Sequence, residues 1–206
     1  GNGVVDEDDK TIIGEAMPQH TGGFTINGNW KAIDFSVGFT YQIGGDVYNA
    51  NAMHSLMGNK DNSAGQNRLK FVSETFKYYD VDANGDLMLV KDPTALAALN
   101  ANTNYSSFFS EYGIVSSKFI EDASYLRLNT LTVGYTFPKN WMNKIGLQNA
   151  RVYFTGSNLF CIDGYSGIDP DVNTKTDGKD GFPTPYFDYQ SYPKARTYTF
   201  GVNLTF

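Results

Sequence analysis

Residues 33–43 alternate without a break. Ile33, Phe35, Val37, Phe39, Tyr41 and Ile43 fall on one face of an extended chain, with Asp34, Ser36, Gly38, Thr40 and Gln42 on the other. A period of two excludes a helix, whose apolar residues recur every three or four positions. The same pattern returns along the chain. Phe24, Ile26 and Trp30 alternate with Thr25, Asn27 and Asn29, leaving Lys31-Ala32 as a tight connection. Leu131, Val133, Tyr135 and Phe137 oppose Thr132, Gly134 and Thr136, and Pro138, which has no N–H for a ladder, ends that run. Less regularly, Val152 and Phe154 oppose Arg151, Tyr153 and Thr155. The last run sets Tyr198, Phe200, Val202, Leu204 and Phe206 against Thr197, Thr199, Gly201, Asn203 and Thr205. These runs predict strands at about 23–30, 33–43, 125–137, 150–160 and 196–206, and an all-β fold.

Strands of a soluble β-sandwich also alternate, but they average about 5–6 residues. Their apolar faces must meet each other, and their other faces meet water. Here the runs reach ten or eleven residues, and the face opposite the large apolar residues is Thr, Ser, Asn, Gly and Gln. A barrel strand that crosses a membrane needs that arrangement, apolar toward lipid and polar toward a wet lumen. Its mean hydropathy stays low, so the value of −0.37 is no objection. Lipid-facing strands with aromatic girdles also account for 15% aromatic residues and for a charged fraction of only 18%, against roughly 25% in typical domains. The longest apolar run, 95–99, is far below the roughly 20 residues of a membrane-spanning helix.

Composition removes other classes. A net charge of −6 argues against nucleic-acid binding. One cysteine, Cys161, excludes an internal disulfide framework, and it reads as a buried or lipid-level bystander. His20 and His54 are far apart and in no metal-ligand spacing. Carboxylate pairs such as Asp8 and Asp9 lack the setting of a glycosidase acid and nucleophile, so no enzymatic activity is expected.

The connections between the runs are unequal. Two are short, at 31–32 and 138–149, and two are long, at 44–124 and 161–195. Outer-membrane barrels have short periplasmic turns and long extracellular loops, which would put residues 1–20, 44–124 and 161–195 outside. Trp30, Phe137 and Phe206 would then each end a strand at the periplasmic interface. That polarity sets Phe206 and residues 1–20 on opposite sides with five strands between them. An odd count of this kind cannot close, and an open edge in lipid would leave backbone groups unpaired. The chain is therefore expected to be the carboxyl-terminal portion of a larger barrel.

Five segments in order carry a family likeness: DEDDKTIIG (6–14), ASYLRLNTLTVGYTFP (123–138), ARVYFTGSNLF (150–160), GYSGIDPD (164–171) and YPKARTYTFGVNLTF (192–206). Together they resemble the carboxyl-terminal region of SusC/RagA-like TonB-dependent transporters, across all but the divergent stretch at about 46–118. The resemblance implies a barrel of about 22 strands with an amino-terminal plug, energised through TonB and lidded by a SusD-like surface lipoprotein. It also implies import of a glycan or peptide across the outer membrane of a Gram-negative bacterium. In such a protein Tyr198, Phe200, Val202, Leu204 and Phe206 resemble the signal read by the barrel-assembly machinery.

Two features have more than one reading. Asp80, Asp82, Asn84 and Asp86 match the first half of an EF-hand calcium loop, yet Lys91 stands where a bidentate Glu is needed. An Asn-Gly turn between two short strands fits the same residues. Asn2, Asp6 and Asp9 raise the same calcium question, with no other cofactor implied. Asp169, Asp171, Asp177 and Asp180 mix with Tyr165, Phe182, Tyr186, Phe187 and Tyr189 in the last loop. Such aromatics suit contact with a ligand or lid protein, or packing of the loop on itself. Residues 95–101 read as a short loop helix.

Overall fold

The computed structural model describes residues 10–56, 67, 69–105, 116–175, 183–189 and 191–206, the side chains of 173–175 and 183–185 excepted. Its strands are β1 (His20–Trp30), β2 (Ile33–Ile43), β3 (Asp46–Asn49), β4 (Tyr79–Val81), β5 (Leu87–Leu89), β6 (Ile120–Asp122), β7 (Tyr125–Thr136), β8 (Asn149–Asp163), β9 (Asn173–Lys175), β10 (Pro183–Pro185), β11 (Phe187–Asp188) and β12 (Thr197–Thr205). The helices are α1 (Ala50–Leu56), α2 (Pro93–Leu99) and α3 (Lys139–Met142). The chain divides into two units, residues 1–48 with 120–206 and residues 49–119.

The first unit is built on one antiparallel sheet in the order β1-β2-β7-β8-β12, so β1 and β12 are its edges. Uninterrupted alternation lets β1 and β2 pair in register from Trp30↔Ile33 to His20↔Ile43, across a two-residue turn in which Lys31 takes φ 57°. The register stacks like on like. Ile26, Val37 and Leu131 form one row across three strands, and Phe35, Val133, Phe154 and Phe200 form another across four. Phe24 stacks on Phe39 at 5.0 Å, and Phe154 meets Phe200 at 5.1 Å.

Large apolar side chains on this face stay exposed, among them Ile26, Trp30, Tyr198, Phe200 and Leu204. A β-sandwich would cover them with a second sheet. Among the described residues, the sheet's apolar face meets none.

Asn129 on β7 is a bulge, skipped in pairing with both neighbours. Across it the apolar positions change from Leu126 and Leu128 to Leu131, Val133 and Tyr135, while the face they occupy stays the same. On β8 two residues, Asn158 and Leu159, are passed over, so parity is kept and Cys161 lies opposite Arg127 on the polar face. Cys161 is thus neither lipid-level nor fully buried: Phe160 precedes it on the apolar face, and alternation turns the thiol to the other side.

Residues 44–124 are more structured than a plain loop. Their two ends are held together by the β3–β6 ladder, Asp46↔Asp122 to Tyr48↔Ile120. In the second unit, β4 and β5 form a hairpin, and the Asn100 amide both accepts from Lys77 N–H and donates to Lys77 C=O. Helix α2 starts where Asp92 Oδ2 accepts the Ala95 N–H, with Pro93 in its first turn. Residues 138–149 carry α3 and a 3-10 turn rather than a bare connection. Among the described residues no helix is long and apolar enough to cross a membrane, which leaves crossing by strands open.

Candidate functional site

Opposite the apolar face, the sheet presents hydroxyls and amides. Asn27, Ser36, Thr132, Thr155 and Thr199 form one continuous row, with Thr132 and Thr155 joined through their hydroxyls at 3.0 Å. Toward the Lys31-Ala32 turn, Arg151 on β8 reaches over β7 to Asp34 on β2. Its Nε and Nη2 donate to the two carboxylate oxygens at 2.9 and 2.5 Å. Gly134 lies beneath this bridge, and a Cβ there would overlap the guanidinium. Gly201 similarly leaves room for the Tyr153 ring, which also lies 5.1 Å from the Arg151 cation. These two glycines are sites of close approach, so side chains can lie flat along the wall.

At the other end of the same face, Arg127 Nη2 donates to Asp169 Oδ1 at 2.6 Å, with both side chains at most one-tenth exposed. Asp169 also accepts the Asp171 N–H, and the Asp171 carboxylate pairs with Lys194. Gln42, 3% exposed, accepts from the Tyr186 hydroxyl at 3.0 Å and donates to Ala123 C=O. Val47, Ala123, Tyr165 and Val172 form a small apolar core here, with Tyr186 against it.

The aromatics of the last loop therefore divide. Tyr165 points inward and donates to Asp188 Oδ2 at 2.7 Å. Burial, followed by that carboxylate, pushes its phenol well above the usual range. Tyr186 is held at φ 61° and is also raised by burial. Phe187 stacks on Tyr48 at 5.4 Å. Tyr189 is exposed, as is Tyr192, which the sequence reading passed over. Phe182, Asp177, Asp180, Asn2, Asp6, Asp8 and Asp9 lie outside the described residues.

Asp82, Asn84 and Asp86 sit at the tip of the β4–β5 hairpin, while Asp80 lies within β4 opposite Met88. Asp82 Oδ1 accepts the N–H groups of Asn84 and Asp86, at 2.8 and 2.9 Å. Those two bonds, Asp86 first, hold its carboxyl below the usual range. Gly85 takes φ +91° in the five-residue connection 82–86, a longer turn than a two-residue Asn-Gly hairpin. Among the described residues no group of three or more His, Cys, Asp or Glu side chains is arranged to hold a metal ion. Tyr198, Phe200, Val202 and Leu204 all project from one face of β12, with Phe206 just beyond it. Sequence reasoning missed Asp34, Arg151, Arg127 and Glu121. For Asp34 and Arg151 the signal was a charge on the polar face of an alternating run in a chain poor in charge; Arg127 shares the parity of Leu131 and reaches the polar face only through the bulge, and Glu121 lies outside the runs.

Long antiparallel strands with one exposed apolar face and one hydroxyl-lined face define a portion of a β-barrel wall. No family model matches the chain. Over its whole length it is 30% identical to TonB-dependent receptor P3 of Formosa agariphila, covering 18% of that protein. It is 28% identical to the TonB-dependent receptor SusC of Bacteroides thetaiotaomicron, covering 17%. The whole chain superposes on a RagAB peptide transporter structure with a TM-score of 0.64, at 20% identity and over 20% of that chain. An open-open state of the RagAB peptide importer gives 0.62 at 22% identity, over 98% of this chain and 19% of that one. The chain thus spans about a fifth of the length of the proteins it matches. From end to end its sequence is similar to a portion of TonB-dependent receptors, SusC among them.

Proposed function

We propose that this chain forms barrel wall and extracellular loops of an outer-membrane nutrient importer, with a glycan or peptide as cargo. One observation carries the reading: the sheet's apolar face extends over all five strands, interrupted by glycines, while its other face is hydroxyl-lined. An aqueous exterior would penalise that apolar face, whereas lipid rewards it at about 25 cal/mol per Å² removed from water. The matched receptors are similar in sequence, and the RagAB structures, named as peptide importers, are similar in fold. The hydroxyl row would line the lumen. The remaining barrel strands, a plug, contact with TonB and a SusD-like surface lipoprotein would come from elsewhere in the assembly. A Gram-negative outer membrane follows from the same reading.

The test uses the full receptor in lipid vesicles, with Cys161→Ser as background and a cysteine at Leu131 or Thr132 carrying a fluorophore. A lipid-attached quencher should dim the label at 131 and spare that at 132. Equal quenching at both positions, or a receptor that is monodisperse without detergent, would overturn the proposal.

A further inference from the structure

A loop that swings over a barrel mouth must break its contacts with the wall at each cycle. The stretches 164–172 and 186–188 hold contacts that are unusually costly to break. Arg127 and Asp169 pair in a setting from which solvent is nearly excluded. Asp188 is 2% exposed and receives the Tyr165 hydroxyl. Arg127 Nε and Asp188 Oδ1 have no hydrogen-bond partner among the described residues, so each group rests on the contacts just named. Separating Arg127 from Asp169 by moving the loop would strand a buried charge, the expensive way to open an ion pair, and parting the stretch at 164–172 from that at 186–188 would leave the Asp188 carboxylate without its donor.

Further contacts run in parallel. Ser166 donates through its N–H and its hydroxyl to the two oxygens of Glu121, both at 2.7 Å. Tyr48 N–H donates to Tyr186 C=O at 2.8 Å, and Tyr186 N–H to Val172 C=O at 3.2 Å. The loop is thereby attached to β2, β3, β6 and β7 at once.

We propose that residues 164–172 and 186–188 are a fixed rim of the barrel mouth, with Arg127 on β7 and Glu121 on β6 as its anchors. Substrate then enters and leaves with this rim in place, and movement belongs to other parts of the assembly. This rests on the barrel reading above, and one experiment separates the two. Amide hydrogen exchange is followed by mass spectrometry on the full receptor in detergent. The rim expects amides of 164–172 and 186–188 to be protected for as long as those of 131–135 on β7. Arg127→Met should speed exchange in 164–172 by about a hundredfold or more while leaving β7 slow. Replacing both partners, Arg127→Met with Asp169→Leu, should restore protection to within about tenfold of wild type. Should Arg127→Met fail to assemble, Tyr165→Phe keeps the ring and should speed exchange near Asp188 by about tenfold.

Rim exchange within seconds beside slow strands would overturn the fixed rim and leave the barrel standing. So would an Arg127→Met protein, or its Tyr165→Phe substitute, as protected as wild type. Fast exchange in the strands themselves would overturn the barrel reading.

Discussion

Neighbouring residues on β2 should respond oppositely to the same substitution. Val37 lies on the apolar face between Ile26 and Leu131, and Ser36 lies on the polar face between Asn27 and Thr132. A strand rises about 3.4 Å per residue, or about 2.6 Å of membrane depth at a tilt of about 40°. Val37, four residues on from Ile33, therefore sits about 10 Å into an apolar band about 25 Å tall, close to its middle. Arginine at that depth costs about 2–4 kcal/mol, a factor of about 30 to 1,000 in the folding equilibrium. The same side chain at Ser36 meets hydroxyls and water and should stay within about 0.5 kcal/mol of wild type. Both variants of the full receptor would be unfolded with urea from phospholipid vesicles and followed by Trp fluorescence. Val37→Arg should lose stability in that range and Ser36→Arg should not. Equal losses, or a greater loss at Ser36, would refute the assignment of faces, because a slip of one residue exchanges them.

Three other outcomes are expected. Deleting Phe206, or replacing it with a charged residue, should lower outer-membrane assembly of the full receptor; normal surface levels by antibody labelling would refute this. Gly134→Val should displace Arg151 from Asp34 and lower the thermal midpoint, and Gly134→Val combined with Arg151→Ala should recover part of the loss. Asp82 gives a pH dependence. Its folded pKa lies below the unfolded value of about 3.9, so its turn-stabilising contribution is present above that pH and lost as pH falls through the folded value. Corrected for intrinsic rates, exchange at Asn84 and Asp86 should be slow at pH 5 and should quicken as the pH falls below the ordinary aspartate value. Asp82→Ala should be fast at both.

Local pattern disclosed some parts of this molecule and hid others. β2 was legible because a strand with one apolar face writes its register in every second residue. The bulge at Asn129 left a trace as well. Apolar positions move from even numbers at Leu126 and Leu128 to odd ones at Leu131 and Val133, and a sequence reading that needs constant parity starts the run too late. The ion pairs left none. Asp34 and Arg151 are 117 residues apart, and Arg127 and Asp169 are 42 apart, so only the assembled register brings them together. The last loop shows the same limit. Its aromatics could serve a ligand or pack inward, and burial of Tyr165 against Asp188 decides for packing at that residue.

The β3–β6 ladder has a consequence for how such proteins diversify. The chain leaves the wall after β2 and returns to it at β7, and on the way out and back it passes through the same short pair of strands. Residues 49–119 are thus a cassette clipped at its base. A replacement of different length or sequence that ends in matching strands would leave every hydrogen-bonded pair of the wall where it is. Chimeras exchanging 49–119 between related receptors should assemble like their parents, whereas inserting a single residue between Lys31 and Ala32 should not be tolerated.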